Sequence, residues 1–201
     1  MGVIIDEKFS FSKHVEAIIK KATFAVYSLN LSITSRKPEI YLKLYVTVIR
    51  PLLEYASAFW DPPFKKESVL IENVQRRVTK RVLGLSNLSY ENRLRNLKLP
   101  SLWWRRKRGA LILMYKIIKQ VEINIPNTLF EINQNQTRGS GWRLKIDHVH
   151  LNMAKNSFRH RLKGLWNSLP REVTEASSVN NFKNKLDDHI LFHTNLYYYF
   201  D

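Results

Sequence analysis

Apolar residues recur at helical spacing along most of the chain. Val15, Ile18, Ile19, Ala22, Val26 and Leu29 share one face of a helix that Ser12 is placed to cap, with Lys13, Lys20 and Lys21 outside the stripe. Pro38 opens a second helix carrying Ile40, Leu44, Val48, Leu52, Tyr55 and Phe59. Pro51 removes one backbone donor from it and predicts a kink, and Pro62-Pro63 ends the unit. A third helix is predicted from about Glu67 to Leu83 on the line Leu70, Val74, Val78 and Val82, with Gly84 as its stop. A short helical piece, Tyr90 to Leu97, precedes Leu99-Pro100. Ser101 then caps a long helix through Ala110, Leu113, Met114, Ile117, Ile118 and Val121. Two further helices are predicted at about 155–168 and 178–193.

Period two is rare by comparison. Residues 2–5 form a short β-branched run ending at Asp6, which reads as a strand. Trp142, Leu144 and Ile146 alternate with Arg143 and Lys145, which fits a second short strand after a linker rich in Asn, Gln, Gly and Thr. The predicted fold is therefore mainly α: a helical bundle with a short N-terminal β element and a helical C-terminal appendage. Its expected divisions are 1–11, 12–121, a linker over 122–150, and 151–201.

Composition supports that class. Six glycines and seven prolines in 201 residues fall well below the average of about 12%, which argues against an all-β sandwich or barrel. There is no cysteine, so disulfides, thiolate zinc sites and cysteine nucleophiles are excluded. The best apolar runs, such as Gly109 to Tyr115, are far short of the ~18 residues that span a bilayer. The first residues lack a basic region and meet acid at Asp6-Glu7, and Asp6 stands where a myristoylation motif wants Ser or Thr. The expectation is an intracellular protein, nuclear or cytoplasmic, with no membrane partner.

Charge changes the picture most. Thirty-three Lys and Arg against 17 Asp and Glu give a net charge of +16, more than solubility requires, and point to a polyanionic partner. From Gln75 to Arg108 there are 11 basic residues and one acid, Glu91. Arg76 and Lys80 are four apart, as are Arg77 and Arg81, and like charges at that spacing repel by a few tenths of a kcal/mol per pair. Arg105-Arg106-Lys107-Arg108 wraps most of a helix circumference. Arg106 falls on the inward line through Leu102, Ala110, Leu113 and Ile117, so a carboxylate or carbonyl partner is expected for it. A phosphate-tracking surface on these two helices is the functional reading. A second basic stretch holds Lys155, Arg159, Arg161 and Lys163. Trp103 and Trp104 read first as core residues and second as groups that stack on bases.

Catalytic constellations are not evident. His148-x-His150, or His189 with His193, could each present two imidazoles on one face, with Asp187 near the second pair, but nothing fixes a third ligand at fitting spacing. Asp187-Asp188 lies late in a predicted helix and reads as solvated rather than as a two-metal site. Phosphate-binding glycine loops and nucleophile elbows are absent from the sequence.

An ordered set of short segments carries a resemblance. They are Gly2-Val3-Ile4-Ile5-Asp6 with Phe9 and His14, Arg50-Pro51-Leu52-Leu53-Glu54-Tyr55-Ala56 with Trp60, and Val74-Gln75-Arg76-Arg77 with Leu83-Gly84-Leu85. Leu88 to Leu94, Leu99-Pro100-Ser101-Leu102 with Arg105-Arg106 and Arg108-Gly109, and Thr137-Arg138-Gly139 follow. Leu165-Trp166-Asn167-Ser168-Leu169-Pro170 and Ser178 to Lys183 close the series. In this order the segments resemble the C-terminal part of reverse transcriptases from jockey-like non-LTR retrotransposons. The resemblance implies the end of a palm (residues 1–11), a helical thumb that grips a template–primer duplex, and a post-thumb region that helps hold RNA or target DNA. It extends the expected nucleic-acid contacts to Arg138. The family's aromatic-x-Asp-Asp box precedes the Gly-Val segment, so its carboxylates and their Mg²⁺ are expected outside this chain, which is expected to hold no cofactor and to be inactive alone. The alternative is a basic helical adaptor for acidic membranes or partner proteins, acting through faces such as Lys13, Lys20 and Lys21.

Overall fold

The computed structural model describes residues 2–121, 129–133 and 141–193, and of Asn152 and residues 191–193 the backbone alone. The chain is mainly helical, as the periodicity requires. The described residues fall into two compact units, one ending at Arg106 and the other starting at Lys107. The boundary between them falls within the helix that follows Ser101, which is itself continuous.

The first unit contains α1 (Ser12–Ser32), α2 (Pro38–Leu44), a π-helical turn (Tyr45–Ile49), α3 (Arg50–Glu54), α4 (Ser57–Trp60), α5 (Lys65–Lys80), α6 (Tyr90–Leu97) and the first turn of α7 (Leu102–Ile118). Its core joins Val15, Ile18 and Ala22 of α1 to Ile71, Val74 and Val78 of α5 and to Tyr41, Tyr45, Ile49 and Leu53. The inward line of the second predicted helix is thus one residue further along than the apolar pattern suggests: Ile40 and Val48 are exposed. On a regular α-helix residues four apart drift by about 40° around the axis. The π-helical turn widens the coil and keeps Tyr41, Tyr45, Ile49 and Leu53 on one side. It sits just before Pro51, whose missing N–H and ring disfavour a regular turn there. The tyrosines satisfy their hydroxyls as they enter: Tyr41 donates to Asn30 Oδ1 (2.7 Å) and Tyr45 to Gln75 Oε1 (2.6 Å). On α5 the phase also differs by one at the start, with Ile71 inside and Leu70 exposed.

The N-terminal β element is not seen. Val3, Ile4 and Ile5 pair with no strand among the described residues, and so short a run without a partner has no ladder to hold it extended. Side chains fix the segment instead. Ile4 N–H donates to His14 Nδ1 (3.3 Å), and the Asp6 carboxylate accepts the N–H groups of Lys8 (3.0 Å), Ser10 (3.0 Å) and Phe11 (2.7 Å). Phe11 takes a left-handed conformation (φ 57°) and is the N-cap, so α1 begins one residue earlier than a Ser12 cap would place it; the Ser12 hydroxyl caps nothing and donates to Glu67 of α5.

The second unit holds the remainder of α7 and five further helices: α8 (Asn152–Asn156), α9 (Phe158–Arg161), α10 (Lys163–Asn167), α11 (Arg171–Thr174) and α12 (Val179–His193). Tyr115 of α7 stacks on Phe182 of α12 (centroids 4.4 Å apart), which also faces Trp166, and the Tyr115 hydroxyl donates to Ala176 O (2.6 Å). The helix predicted at 155–168 is broken into three. Ser157 is extended (φ −65°, ψ 151°), and its hydroxyl donates back to Ala154 O (2.7 Å), in competition with the helical ladder. The second alternating run forms a single antiparallel bridge, Leu144 with Ile132, rather than a strand.

Candidate nucleic-acid interface

Glu72 and Gln75, buried on α5, set the position of the basic helices. The Glu72 carboxylate accepts the N–H groups of Leu102 and Trp103 (both 3.1 Å), the start of α7, together with the Tyr90 hydroxyl from α6. It therefore caps α7 with negative charge where the helix dipole favours it. Gln75 Nε2 donates to the Tyr90 hydroxyl (3.0 Å) and to Pro100 O (3.1 Å). Burial pushes the Glu72 carboxyl up, against the hydrogen bonds and the Arg106 charge that pull it down, and it pushes the Tyr90 hydroxyl up as well.

Around this hub the α7 cations meet carboxylates. Arg105 makes a bidentate pair with Glu54, which also lies 3.8 Å from Arg50. Arg106 is buried with Asp61 (2.7 Å) and Ser68 (3.3 Å), the kind of partner its inward position calls for. In the second unit Arg108 makes a bidentate pair with Asp187 (2.6 Å for both bonds). Lys107 is half-buried, Trp104 is fully buried and Trp103 half-buried. Trp104 is thus a core residue and offers no face for stacking.

The α5 cations differ. Arg76 is half-buried with its guanidinium 4.7 Å from the Tyr90 ring centroid. Arg77, Lys80 and Arg81 are exposed on the outward face that also carries Lys66 and Leu70, and no carboxylate among the described residues pairs with any of the three. The Leu83 N–H donates to Arg36 O (2.9 Å), which draws the loop carrying Arg36 and the exposed Lys37 to the end of this helix. The Arg36 guanidinium donates to Ile33 O (2.8 Å) and lies 4.9 Å from the Tyr41 ring centroid. Burial pushes the Tyr41 hydroxyl up, while the nearby Arg36 and Arg81 charges pull it down. Lys37 was not legible as part of this cluster, because only the fold brings it to α5.

The remaining candidates lie in the second unit. Lys163 is buried against Asp147 (2.8 Å), Arg159 lies 3.6 Å from Glu131 and 3.9 Å from Asp147, and Arg161 donates to Asn156 O (3.3 Å). Arg138 is outside the described residues. Among the described residues no group of three or more His, Asp or Glu is arranged to hold a metal ion, and no helix is long and apolar enough to cross a membrane.

No family model matches the chain, and no solved structure does. It is similar to the uncharacterized protein B0403.1 of Caenorhabditis elegans, with 29% identity over 97 residues. The match covers 47% of this chain and 49% of the relative, so the chain spans about half the length of the curated relative it matches. That similarity names no activity.

Proposed function

We propose that the chain holds RNA or DNA by its phosphate backbone, as the gripping part of a retrotransposon reverse transcriptase, and catalyses no nucleotide transfer by itself. The observation that carries this reading is the contrast between the two basic helices. Arginines on α7 are neutralised by Glu54, Asp61 and Asp187, whereas Arg77, Lys80 and Arg81 on α5 face solvent together, with Lys37 beside the helix end. The helix dipole favours cations in a last turn by about 0.3–1 kcal/mol, which makes such a cluster tolerable without giving it a purpose. Sequence-independent gripping needs exposed cations spaced along a surface, and Arg77 and Lys80 on α5 with Arg81 at its C-cap offer them, Arg77 Nε turning back to Asn73 O (3.4 Å). The ordered resemblance to the thumb and post-thumb segments supports the same reading.

The triple variant Arg77→Gln/Lys80→Gln/Arg81→Gln tests it in a fluorescence-anisotropy titration with an RNA·DNA hybrid. Affinity should fall, and the log–log salt slope should shrink by about 2–3, one phosphate contact per lost cation. An unchanged slope removes α5 from the interface. Primer extension with Mg²⁺ by the isolated chain is expected to give no incorporation, and any templated product would return the chain to the polymerases.

One observation favours a second reading. On the outward face of α1, Lys13 and Lys20, the latter ion-paired with the exposed Glu16 (2.7 Å), share a line with the exposed Phe24, Tyr27 and Leu31, an amphipathic surface of the kind that binds membranes. Co-sedimentation with anionic liposomes that survives excess RNA would support it.

A further inference from the structure

A pocket of about 440 Å³ in the second unit is lined by Asp147, His148, His150, Lys155, His160 and Lys163. The basic grip on α5 does not use it. Three short helices and a loop supply these groups: His148 and His150 lie in the extended stretch after Leu144, Lys155 on α8, His160 on α9 and Lys163 on α10. One acid faces five basic or protonatable side chains, and that acid is already engaged. Lys163, itself buried, donates to the Asp147 carboxylate at 2.8 Å, and Arg159 approaches it at 3.9 Å while also lying 3.6 Å from Glu131. Lys155, His148 and His150 are exposed at the rim.

We infer that this pocket binds a phosphate group, either on a nucleic-acid backbone or as a free anion. A bound phosphate would be held by the Lys155 ammonium and by imidazole N–H groups, with Asp147 kept aside by Lys163. A metal ion fits the site poorly, since no three of its His and Asp residues are arranged around a common point. The size suits a phosphate with its sugar attached, within the usual range for small-ligand sites. The site also has a built-in pH response. Burial, then the charges of Lys163 and Arg159, hold the His160 imidazole below its ordinary value, and Asp147 only partly opposes them. An anion in the pocket supplies the missing countercharge, so binding and imidazole protonation favour each other.

The experiment is a ring-proton NMR titration of His148, His150 and His160 in the full chain. It is run in sodium chloride, in sodium sulfate at equal ionic strength, and with a twelve-residue oligothymidylate. Sulfate is the probe because its charge is constant between pH 5 and 8. The inference predicts that sulfate or the oligonucleotide raises the His160 midpoint where chloride does not, and that affinity increases from pH 8 to pH 6, about tenfold for each imidazole midpoint raised by one unit. A response to sulfate without one to the oligonucleotide identifies a free anion; a response to both identifies a backbone phosphate. Lys155→Gln, at an exposed position, should weaken binding with the fold intact, and the α5 triple variant should leave this response unchanged. Midpoints that coincide in chloride, sulfate and oligonucleotide overturn the inference, whatever the outcome at α5.

Discussion

Arg106 and Asp61 are both within a few per cent of full burial, and their pairing decides what each costs the fold. Removing the cation strands a charge in low dielectric, so Arg106→Leu should destabilise the chain by about 3–5 kcal/mol in urea unfolding. Arg105→Gln, at a partly exposed pair whose acid keeps Arg50 nearby, should cost about 1 kcal/mol. Equal losses in the two variants would contradict this account of the α7 arginines. His14 is a second case. It is buried against Trp60, its Nδ1 accepts from Ile4, and its Nε2 has no partner among the described residues. Burial, and then the Lys21 charge, hold its pKa below the ordinary value. The folded chain therefore binds fewer protons than the unfolded one once the pH drops below about 6.5. Stability should be full above that pH and decline as acid is added, with His160 contributing in the same direction. His14→Phe should flatten the decline in a series of thermal melts between pH 7.5 and 5.5, and an unaltered profile would place the linkage elsewhere.

At the scale of elements, the Ser101 cap was legible where the Ser12 cap was not, and unsupported runs were the least legible. Ser101 accepts the Trp104 N–H three residues on (3.1 Å), and α7 begins where that serine predicts; Ser89, which the pattern did not single out, caps α6 in the same way through Asn92 N–H (3.2 Å). The end of α6 shows a departure. Lys98 is left-handed (φ 52°), its N–H reaches Arg95 O, and the Leu99 N–H reaches Leu94 O, a Schellman ending with lysine where glycine is favoured. Lys98→Gly should therefore raise stability by about 1 kcal/mol, read as a higher urea midpoint, since the side chain is exposed and only the backbone is strained. A loss would mean that the lysine side chain supports the turn. By contrast, the strand expected from Val3 to Ile5 needed a partner that local pattern cannot supply. The inward phase of residues 41–53 depended on a π-helical turn that no residue type announces. The basic cluster was visible as composition, but which cations face solvent was fixed by Glu54, Asp61 and Asp187, each far away in sequence.

For the whole molecule, the net charge of +16 divides by role. Part of it is neutralised by carboxylates within each unit, as with Arg105, Arg106, Arg108 and Lys163. Another part, on α5 and Lys37, is presented to solvent. Only the second kind can release counterions when a polyanion binds, so total charge overstates the interface and the exposed cluster sets its size. The most direct measurement is the salt dependence of binding to an RNA·DNA hybrid between 50 and 200 mM. Contacts by Arg77, Lys80, Arg81 and Lys37 predict a log–log slope of about −3 to −4. A slope near zero, or no binding at the lowest salt, would contradict the proposal that this chain grips nucleic acid.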